Sequence, residues 1–264
     1  MNSPQSTRFH ELHASGFFLI PNPWDVGSAR LLESLGFPAL ATTSSGFAAT
    51  LGRNDQEVSV GELIEHVAAV CAAVEVPVNV DFEWGYATEP EGLGPIIARL
   101  AEAGAAGFSL EDFDPAAGDV VSIDQAAERV EAGAAAAAAT GMLFTARTEN
   151  HLYGHDDLDD TIARLERFAA AGADALYAPG AGSAEAIARI VAVGCPVNVL
   201  ALPGVPPVAE LVELGVRRVS TGGALAWVAY GALVDAAREL LDDASVAYLG
   251  RMLSGRDRAA AFDT

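Results

Sequence analysis

One phrase recurs in this sequence and constrains the fold more than any other feature. In each copy the end of an amphipathic helix is followed by a glycine and then by a short apolar strand, and the glycines are Gly36, Gly104, Gly172 and Gly215. Glycine is common just after a helix because that position often takes the left-handed conformation. A regular alternation of helix and strand indicates βα units and a parallel sheet.

The same alternation can be followed along the whole chain. Apolar segments rich in strand-forming residues predict eight strands at about residues 17–21, 38–43, 76–82, 107–111, 142–147, 175–179, 197–202 and 218–222. Eight parallel strands with intervening helices predict a (β/α)8 TIM-type barrel. A doubly wound sheet is the alternative, but no Gly-x-Gly-x-x-Gly follows a strand. We expect a single barrel domain over residues 1–264, with extra C-terminal helices over residues 225–264.

Charge narrows the classes of partner. The formal net charge is −21, from 36 acidic and 15 basic residues. Nucleic acids and anionic membranes bind basic surfaces, so we expect neither as a partner. Every basic residue is arginine, and the absence of lysine from the sequence excludes catalysis through a lysine Schiff base.

The cysteines and the N-terminus indicate the compartment. The two cysteines, Cys71 and Cys195, do not form a disulfide framework. The first residues lack the pattern of a secretory leader, and no apolar run is long enough to span a membrane. We therefore expect a cytoplasmic protein.

Carboxylates follow the third and fourth predicted strands. Asp81 and Glu83 end the run from Val76, and alternation along an extended chain would place their side chains on the same face. Glu111 ends the next strand. Acidic groups at the mouth of a buried strand need a cation between them, and Mg²⁺ prefers such oxygens, with Mn²⁺ as the alternative ion. The other interpretation is that these are solvated loop carboxylates or helix caps.

Other strand ends carry groups that could bind an anionic substrate. Arg147 ends the fifth strand, and its planar fork suits a substrate carboxylate. The alternative for Arg147 is a structural ion pair with Glu149 or Glu111. The backbone N–H groups of Ser45, Gly46 and Phe47 follow the second strand and could cradle an oxygen anion.

Together these residues resemble the isocitrate lyase and phosphoenolpyruvate mutase superfamily. The motifs occur in the family's order over about residues 8–240 and are Thr42-Thr43-Ser44-Ser45-Gly46, Leu51-Gly52-Arg53-Asn54-Asp55, Asp81-Phe82-Glu83-Trp84-Gly85-Tyr86, Leu110-Glu111-Asp112 and Ala146-Arg147-Thr148-Glu149. The resemblance implies a barrel, Mg²⁺ and chemistry beside a pyruvate-type enolate. By match to the motifs, Asp81 would bind the metal directly, and Glu83 and Glu111 would bind it through water. It also implies a homodimer or homotetramer in which a C-terminal helix is swapped between neighbours.

Departures from the family pattern decide between reactions. Isocitrate and methylisocitrate lyases carry a cysteine proton donor soon after the fourth strand, whereas this chain has Phe113-Asp114-Pro115-Ala116-Ala117-Gly118-Asp119 there. We therefore do not expect either lyase activity. The mutase and the phosphonopyruvate hydrolase carry a lysine in this region, and this chain has none. Phosphorus–carbon chemistry is therefore less favoured, and it is kept as the alternative because Arg53 could take the place of the lysine.

The favoured function is therefore a carbon–carbon lyase. The predicted reaction is Mg²⁺-dependent cleavage or formation of a C–C bond in a small 2-oxo or 2-hydroxy carboxylate, such as oxaloacetate decarboxylation. Asp55 and Glu149 are the predicted proton donors, with Tyr86 and His151 as further candidates. A barrel that only binds a metabolite is the remaining class, and failure to bind Mg²⁺ together with no turnover of any oxo acid would favour it.

Overall fold

The computed structural model describes residues 3–263, so residues 1, 2 and 264 of the predicted domain lie outside the described part. All the predicted strands are present within or close to their expected ranges: β1 Phe18–Ile20, β2 Leu40–Ala41, β3 Val78–Asp81, β4 Gly107–Glu111, β7 Leu143–Arg147, β8 Ala175–Tyr177, β9 Val197–Leu200 and β10 Arg218–Ser220. Two further strands, β5 Phe113–Asp114 and β6 Asp119–Val120, form a short antiparallel hairpin after β4.

The eight strands other than β5 and β6 form one parallel sheet that curves until its two outer strands, β1 and β2, approach each other. Its order is β1-β10-β9-β8-β7-β4-β3-β2. At the seam the backbone N–H of Ala41 donates to the carbonyl of Pro21 at 3.1 Å. The prediction of a TIM-type barrel is confirmed, and the doubly wound alternative is wrong because the two outer strands meet.

Helices alternate with these strands: α1 Pro4–Ala14, α2 Val26–Ser34, α3 Ser44–Thr50, α4 Val60–Ala73, α5 Leu93–Glu102, α6 Ile123–Thr140, α7 Leu158–Ala170, α8 Ala184–Val191, α9 Val208–Glu213, α10 Ala224–Asp243 and α11 Gly255–Phe262. Short 3₁₀ turns cover Pro90–Gly92, Asn150–Tyr153 and Ala247–Arg251. Capping boxes start α4 at Ser59 and α6 at Ser122, because each serine and the residue three places later satisfy backbone N–H groups that the helix leaves free.

Alternation along the strands separates an apolar layer from a polar interior. Phe108 and Phe144, on adjacent strands, stack with ring centroids 4.9 Å apart and pack among the helices. Their neighbour Thr145 points into the barrel instead, where it accepts a hydrogen bond from Arg218 at 2.9 Å. Apolar side chains therefore face the helices and polar side chains face the barrel interior. The polar interior continues to the carboxyl ends of the strands.

Two helices, α10 and α11, follow the last strand of the barrel. The long helix α10 exposes a series of large apolar side chains, which includes Trp227, Val228, Leu233 and Leu241. The last helix, α11, packs against α2 and buries Ala261. Within residues 3–263 no helix combines the length and the apolar character that crossing a membrane requires.

Candidate active site

Strand register brings the predicted polar residues to one rim of the barrel. Glu111 at the end of β4 lies opposite Arg147 at the end of β7, and Arg147 lies opposite Tyr177 at the end of β8. Asp81 ends β3 beside Ser109 of β4. The carboxyl ends of parallel strands share one edge, and barrel enzymes place their active sites there.

The turn after β3 differs from the sequence expectation. The strand ends at Asp81, and Glu83 has a left-handed backbone with φ of 49°. Alternation along an extended strand is therefore the wrong reason for placing Glu83 beside Asp81. The turn itself carries Glu83 inward, and the backbone N–H of Glu111 holds it by donating to the Glu83 carbonyl at 3.0 Å. Gly85 and Tyr86 also have positive φ, and such conformations in non-glycine residues are concentrated at functional sites.

Glu83 is a buried acid with an unsatisfied oxygen. Its residue is 3% exposed; Oε1 accepts a short hydrogen bond from the Tyr86 hydroxyl, and Oε2 has no partner among the described residues. Burial, followed by the charges of Asp81 and Asp55, raises the pKa of Glu83 to about 8. A buried carboxylate oxygen without a donor is costly, so this position favours a cation or a proton.

Arg147 lies at the centre of the carboxylates. Its Nε and Nη2 form a fork onto Glu149, with Nη2 2.9 Å from Oε2. Its Nη1 is 3.2 Å from Asp81 Oδ1 and 3.5 Å from Glu111 Oε2. Burial opposes the charge of Arg147, but Glu149, Glu111 and Asp81 outweigh it and raise the pKa further above its ordinary value.

The ion pair that was the alternative for Arg147 is therefore present. This ion pair does not engage every N–H group of the Arg147 side chain. A guanidinium has five N–H groups, and the hydrogen bonds to Glu149 and Asp81 occupy three of them. One N–H on each terminal nitrogen makes no hydrogen bond to a described residue, although Nη1 also lies 3.5 Å from Glu111 Oε2.

Two further glutamates of the rim are almost fully buried. Glu111 is 6% exposed and Glu149 is 3% exposed. Burial raises the pKa of both carboxyl groups, against the lowering effect of Arg147. The amide of Gln56, from the loop after α3, lies 3.4 Å from Glu111 Oε1 and connects that loop to the site.

Asp55 belongs to the same loop. Its residue is exposed, yet Asp81 and Arg147 both influence its carboxyl group. Burial of the carboxyl group and the charge of Asp81 raise its pKa, against the Ser44 side chain, which lowers it. The structure therefore associates Asp55 with the rim carboxylates rather than with a remote surface.

The predicted amide cradle is the start of α3. Thr43 caps this helix, and the N–H of Ser44 donates to Asp81 Oδ2 at 3.1 Å. The N–H of Phe47 already donates to the Thr43 carbonyl at 3.0 Å, and that of Gly46 makes a long 3.4 Å bond to Thr43 Oγ1. Phe47 is therefore not free to bind an anion, and of the predicted amides this leaves Ser45, together with Gly46, whose bond to its cap is long.

The donor set fits a hard divalent cation. Residues 3–263 contain no three His, Cys, Asp or Glu side chains already arranged to hold a metal ion, so direct binding by three carboxylates is not what the rim offers. Asp81, Glu83 and Glu111 nevertheless offer carboxylate oxygens only, and Glu83 has its unpartnered oxygen. Such oxygens, with water completing the shell, are the ligands of Mg²⁺.

Sequence reasoning missed several contributors to this site. Tyr177 places its ring centroid 5.2 Å from Arg147 Cζ, and burial raises its pKa to about 12. Asp112 and Arg164 form a buried ion pair 3.0 Å long behind the rim. Tyr177 lies inside the predicted strand 175–179 and ends the strand that the structure shows, which was a usable signal, whereas no local pattern links Asp112 to Arg164.

Comparison with known proteins adds a family to this geometry. The phosphoenolpyruvate phosphomutase family profile matches residues 9–241. An uncharacterised protein of Mycobacterium tuberculosis is 35% identical over 245 residues, which cover 89% of each chain. The oxaloacetate decarboxylase of Paraburkholderia xenovorans is 35% identical over 179 residues, which cover 63% of this chain and 58% of that enzyme. A candidate lyase/mutase of solved structure, from Burkholderia cenocepacia J2315, is 43% identical with a TM-score of 0.94 and covers 98% of this chain and 96% of that one.

Proposed function

This chain belongs to the phosphoenolpyruvate phosphomutase family, and on that premise we propose that it is a Mg²⁺-dependent carbon–carbon lyase acting on a small 2-oxo dicarboxylate such as oxaloacetate. The observation that carries the proposal is the composition of the rim, where oxygen donors surround the single guanidinium of Arg147. The hairpin that follows β4 supplies no cysteine, lysine or histidine. A relative 35% identical to part of this chain is named as an oxaloacetate decarboxylase.

The metal would be held by Asp81, Glu83 and Glu111. When bound, Mg²⁺, or Mn²⁺ in its place, supplies a Lewis acid for the 2-oxo group and the adjacent carboxylate. The unpartnered Oε2 of Glu83 supports this assignment.

The residues of the chain would do the remaining work. Arg147 would bind the substrate carboxylate through its free N–H groups and so fix which bond is cleaved. As that bond breaks, negative charge moves to the 2-oxo oxygen, where the N–H groups of Ser45 and Gly46 would stabilise it. Removing one such donor typically costs on the order of 10²-fold to 10³-fold in rate.

A proton must then reach the carbon left behind. Glu149 is engaged by both oxygens in its fork with Arg147, whereas Asp55 lies on a loop and carries a raised pKa. Of the predicted donors, we therefore assign the proton delivery to Asp55.

Phosphorus–carbon chemistry is the alternative, because the matching profile is that of a phosphomutase. It would need a second cation for a phosphonate or phosphate, and Arg53 was the sequence candidate. Arg53 instead pairs with Glu62, with Nη1 2.9 Å from Oε1, and its side chain is 41% exposed. That pairing favours the carbon–carbon reaction.

The decisive experiment is a Mg²⁺-dependent screen of oxaloacetate, other 2-oxo dicarboxylates, 2-hydroxy acids and phosphonopyruvate. We expect pyruvate and carbon dioxide from oxaloacetate. Phosphate release from phosphonopyruvate, or oxalate and acetate from oxaloacetate, would refute the proposed reaction.

Substitution of Asp81 tests the metal assignment within the same screen. We expect Asp81→Ala to abolish Mg²⁺-dependent turnover and to keep the fold, because the side chain lies at the rim. Asp159→Ala, which removes a carboxylate with an 84% exposed side chain, is the control. Parental activity in Asp81→Ala at saturating Mg²⁺ would show that the metal is held elsewhere.

We also propose that the chain forms a homodimer or homotetramer through a swapped C-terminal helix. Trp227 and Leu241 of α10 are 56% and 84% exposed, and a partner would bury them. Sedimentation should show an oligomer that Leu241→Asp weakens; a monomeric parent would contradict this assignment.

The free thiols of Cys71 and Cys195 support a cytoplasmic location.

A further inference from the structure

The buried pair Asp112–Arg164 has no role in the chemistry described above. We propose that these two side chains are positioning residues that hold the backbone of Glu149 and, through Glu149, aim Arg147 at the substrate. The activity readout rests on the proposed function, but the structural connection can be measured by binding alone.

Arg164 reaches the rim from helix α7, outside the barrel. Its Nη1 lies 3.0 Å from Asp112 Oδ2 and 2.8 Å from the carbonyl of Val121. Its Nε lies 2.7 Å from Asp160 Oδ2, one turn earlier on the same helix. The guanidinium is therefore fixed by three acceptors from three different segments, which uses the planar fork that a lysine lacks.

Asp112 transmits this constraint to the site. Its other oxygen, Oδ1, accepts the backbone N–H of Glu149 at 2.8 Å. Its own backbone N–H donates to the carbonyl of Arg147 at 3.2 Å. One residue thus holds the main chain on both sides of Thr148, where the strand leaves the barrel.

Glu149 completes the connection. It grips Arg147 through Nε and Nη2, so the direction of the guanidinium depends on where Glu149 lies. A chain of four charged side chains therefore runs from α7 to the substrate position. Residues that support a site in this way typically change affinity or activity about 10-fold to 100-fold when they are removed.

Stability alone is a weak explanation for this pair. The side chains of Arg164 and Asp112 are only 8% and 1% exposed. Burying two charges forfeits hydration, and well-packed apolar residues in such places are often as stable or more so. The pair differs in this respect from the ion pair between Arg167, on the same helix, and Asp124 of α6, which is exposed and 3.5 Å long.

The test measures the affinity of the Mg²⁺-loaded protein for oxalate by calorimetry, together with the oxaloacetate KM. Oxalate is planar and carries adjacent oxygens like a 2-oxo carboxylate, and its binding requires no turnover. We compare the parent with Arg164→Met, Arg164→Lys, Arg167→Met and Leu165→Ala. Arg167→Met repeats the substitution at an exposed site, and Leu165→Ala destabilises the same helix from a fully buried apolar position without touching Asp112.

We expect Arg164→Met to raise the oxalate Kd and the oxaloacetate KM by about 10-fold or more. Arg164→Lys should fall between this variant and the parent, since it keeps a charge beside Asp112 but loses the fork. Both controls should bind as the parent does. Equal loss in Leu165→Ala, or a Kd within twofold of the parent in Arg164→Met, would overturn the proposal; if Arg164→Met does not fold, parental binding by Arg164→Lys would do so.

Failure of the proposed reaction and failure of the positioning role give different combinations of oxalate binding and oxaloacetate cleavage. A parent that binds oxalate in an Arg164-dependent way but does not cleave oxaloacetate refutes the lyase and supports the positioning role. A parent that cleaves oxaloacetate, with Arg164→Met unchanged in Kd and KM, refutes the positioning role alone. A parent that neither cleaves oxaloacetate nor binds oxalate refutes both.

Discussion

Replacing Glu83 by glutamine should stabilise the metal-free protein and weaken its hold on Mg²⁺. The reason is that the carboxyl group is 3% exposed and has a pKa of about 8, above its ordinary value of 4.5. A carboxyl group whose pKa is higher in the folded state does not lower the free energy of unfolding at a pH below its unfolded pKa. The cost then grows as the pH rises through the interval between the two values and is constant above it.

The magnitude follows from the two pKa values. Between about pH 5 and pH 8 the free energy of unfolding of the parent should fall, relative to Glu83→Gln, by about 1.4 kcal/mol for each pH unit. By pH 7 the difference is on the order of 3 kcal/mol as an upper limit, since the buried amide of the variant also loses hydration.

Urea unfolding with a chelator present, at pH 5, 6, 7 and 8, measures this difference directly. Asp159→Asn, which changes an exposed carboxylate, should give no such trend. A difference between parent and Glu83→Gln that does not change with pH would refute the account of Glu83 as a buried, partly protonated acid. Mg²⁺ should stabilise the parent more at pH 8 than at pH 6, because the ion competes with a proton, and should stabilise the variant less.

Two other substitutions test the rest of the rim. Arg147→Lys keeps the charge but loses the fork onto Glu149, so we expect the oxaloacetate KM to rise about 10-fold or more; an unchanged KM would reject the clamp. Gly46→Ala would place a methyl group 2.6 Å from Thr43 Cγ2, and we expect it to reduce the free energy of unfolding by about 1–3 kcal/mol in urea. Gly61→Ala would bring its methyl group no closer than 4.0 Å to Ser59 Oγ and should not destabilise the fold, so equal losses in both variants would contradict the steric reason.

Local patterns were enough to predict the barrel. The recurring glycines do take the left-handed conformation, for example Gly104 with φ of 100° and Gly172 with φ of 101°. A helix that ends in this way and is followed by an apolar strand has few alternatives to a βα unit. Strand lengths were overestimated, as for the predicted 38–43, where only Leu40–Ala41 forms the strand, because burial extends beyond the ladder hydrogen bonds.

Strand positions alone predict only the part of the site that coincides with strand ends. Asp81, Glu111 and Arg147 are the last residues of their strands, so the topology alone brings them together. Glu83 reaches the rim through a left-handed turn that no alternation rule predicts. Arg164 reaches it from a different layer of the fold, and a contact between residues so far apart in sequence leaves no periodic trace.

The electrostatics of the rim connect these features to the substrate. Asp55, Asp81, Glu83, Glu111 and Glu149 surround one arginine. A 2-oxo dicarboxylate is itself a dianion, and in a partly buried site its repulsion by unpaired carboxylates would be several times stronger than in water. Protonation of Glu83 relieves part of that repulsion, but a proton cannot attract the substrate as a divalent cation can. Burial raises the pKa values of Glu83, Glu111 and Glu149, and neighbouring carboxylates add to the effect. The same buried negative charge would favour a divalent cation at the rim, so we expect the ion to bind before or together with the dianion. Initial-rate kinetics with varied Mg²⁺ and oxaloacetate decide this order, because a substrate affinity that does not depend on the Mg²⁺ concentration would contradict it.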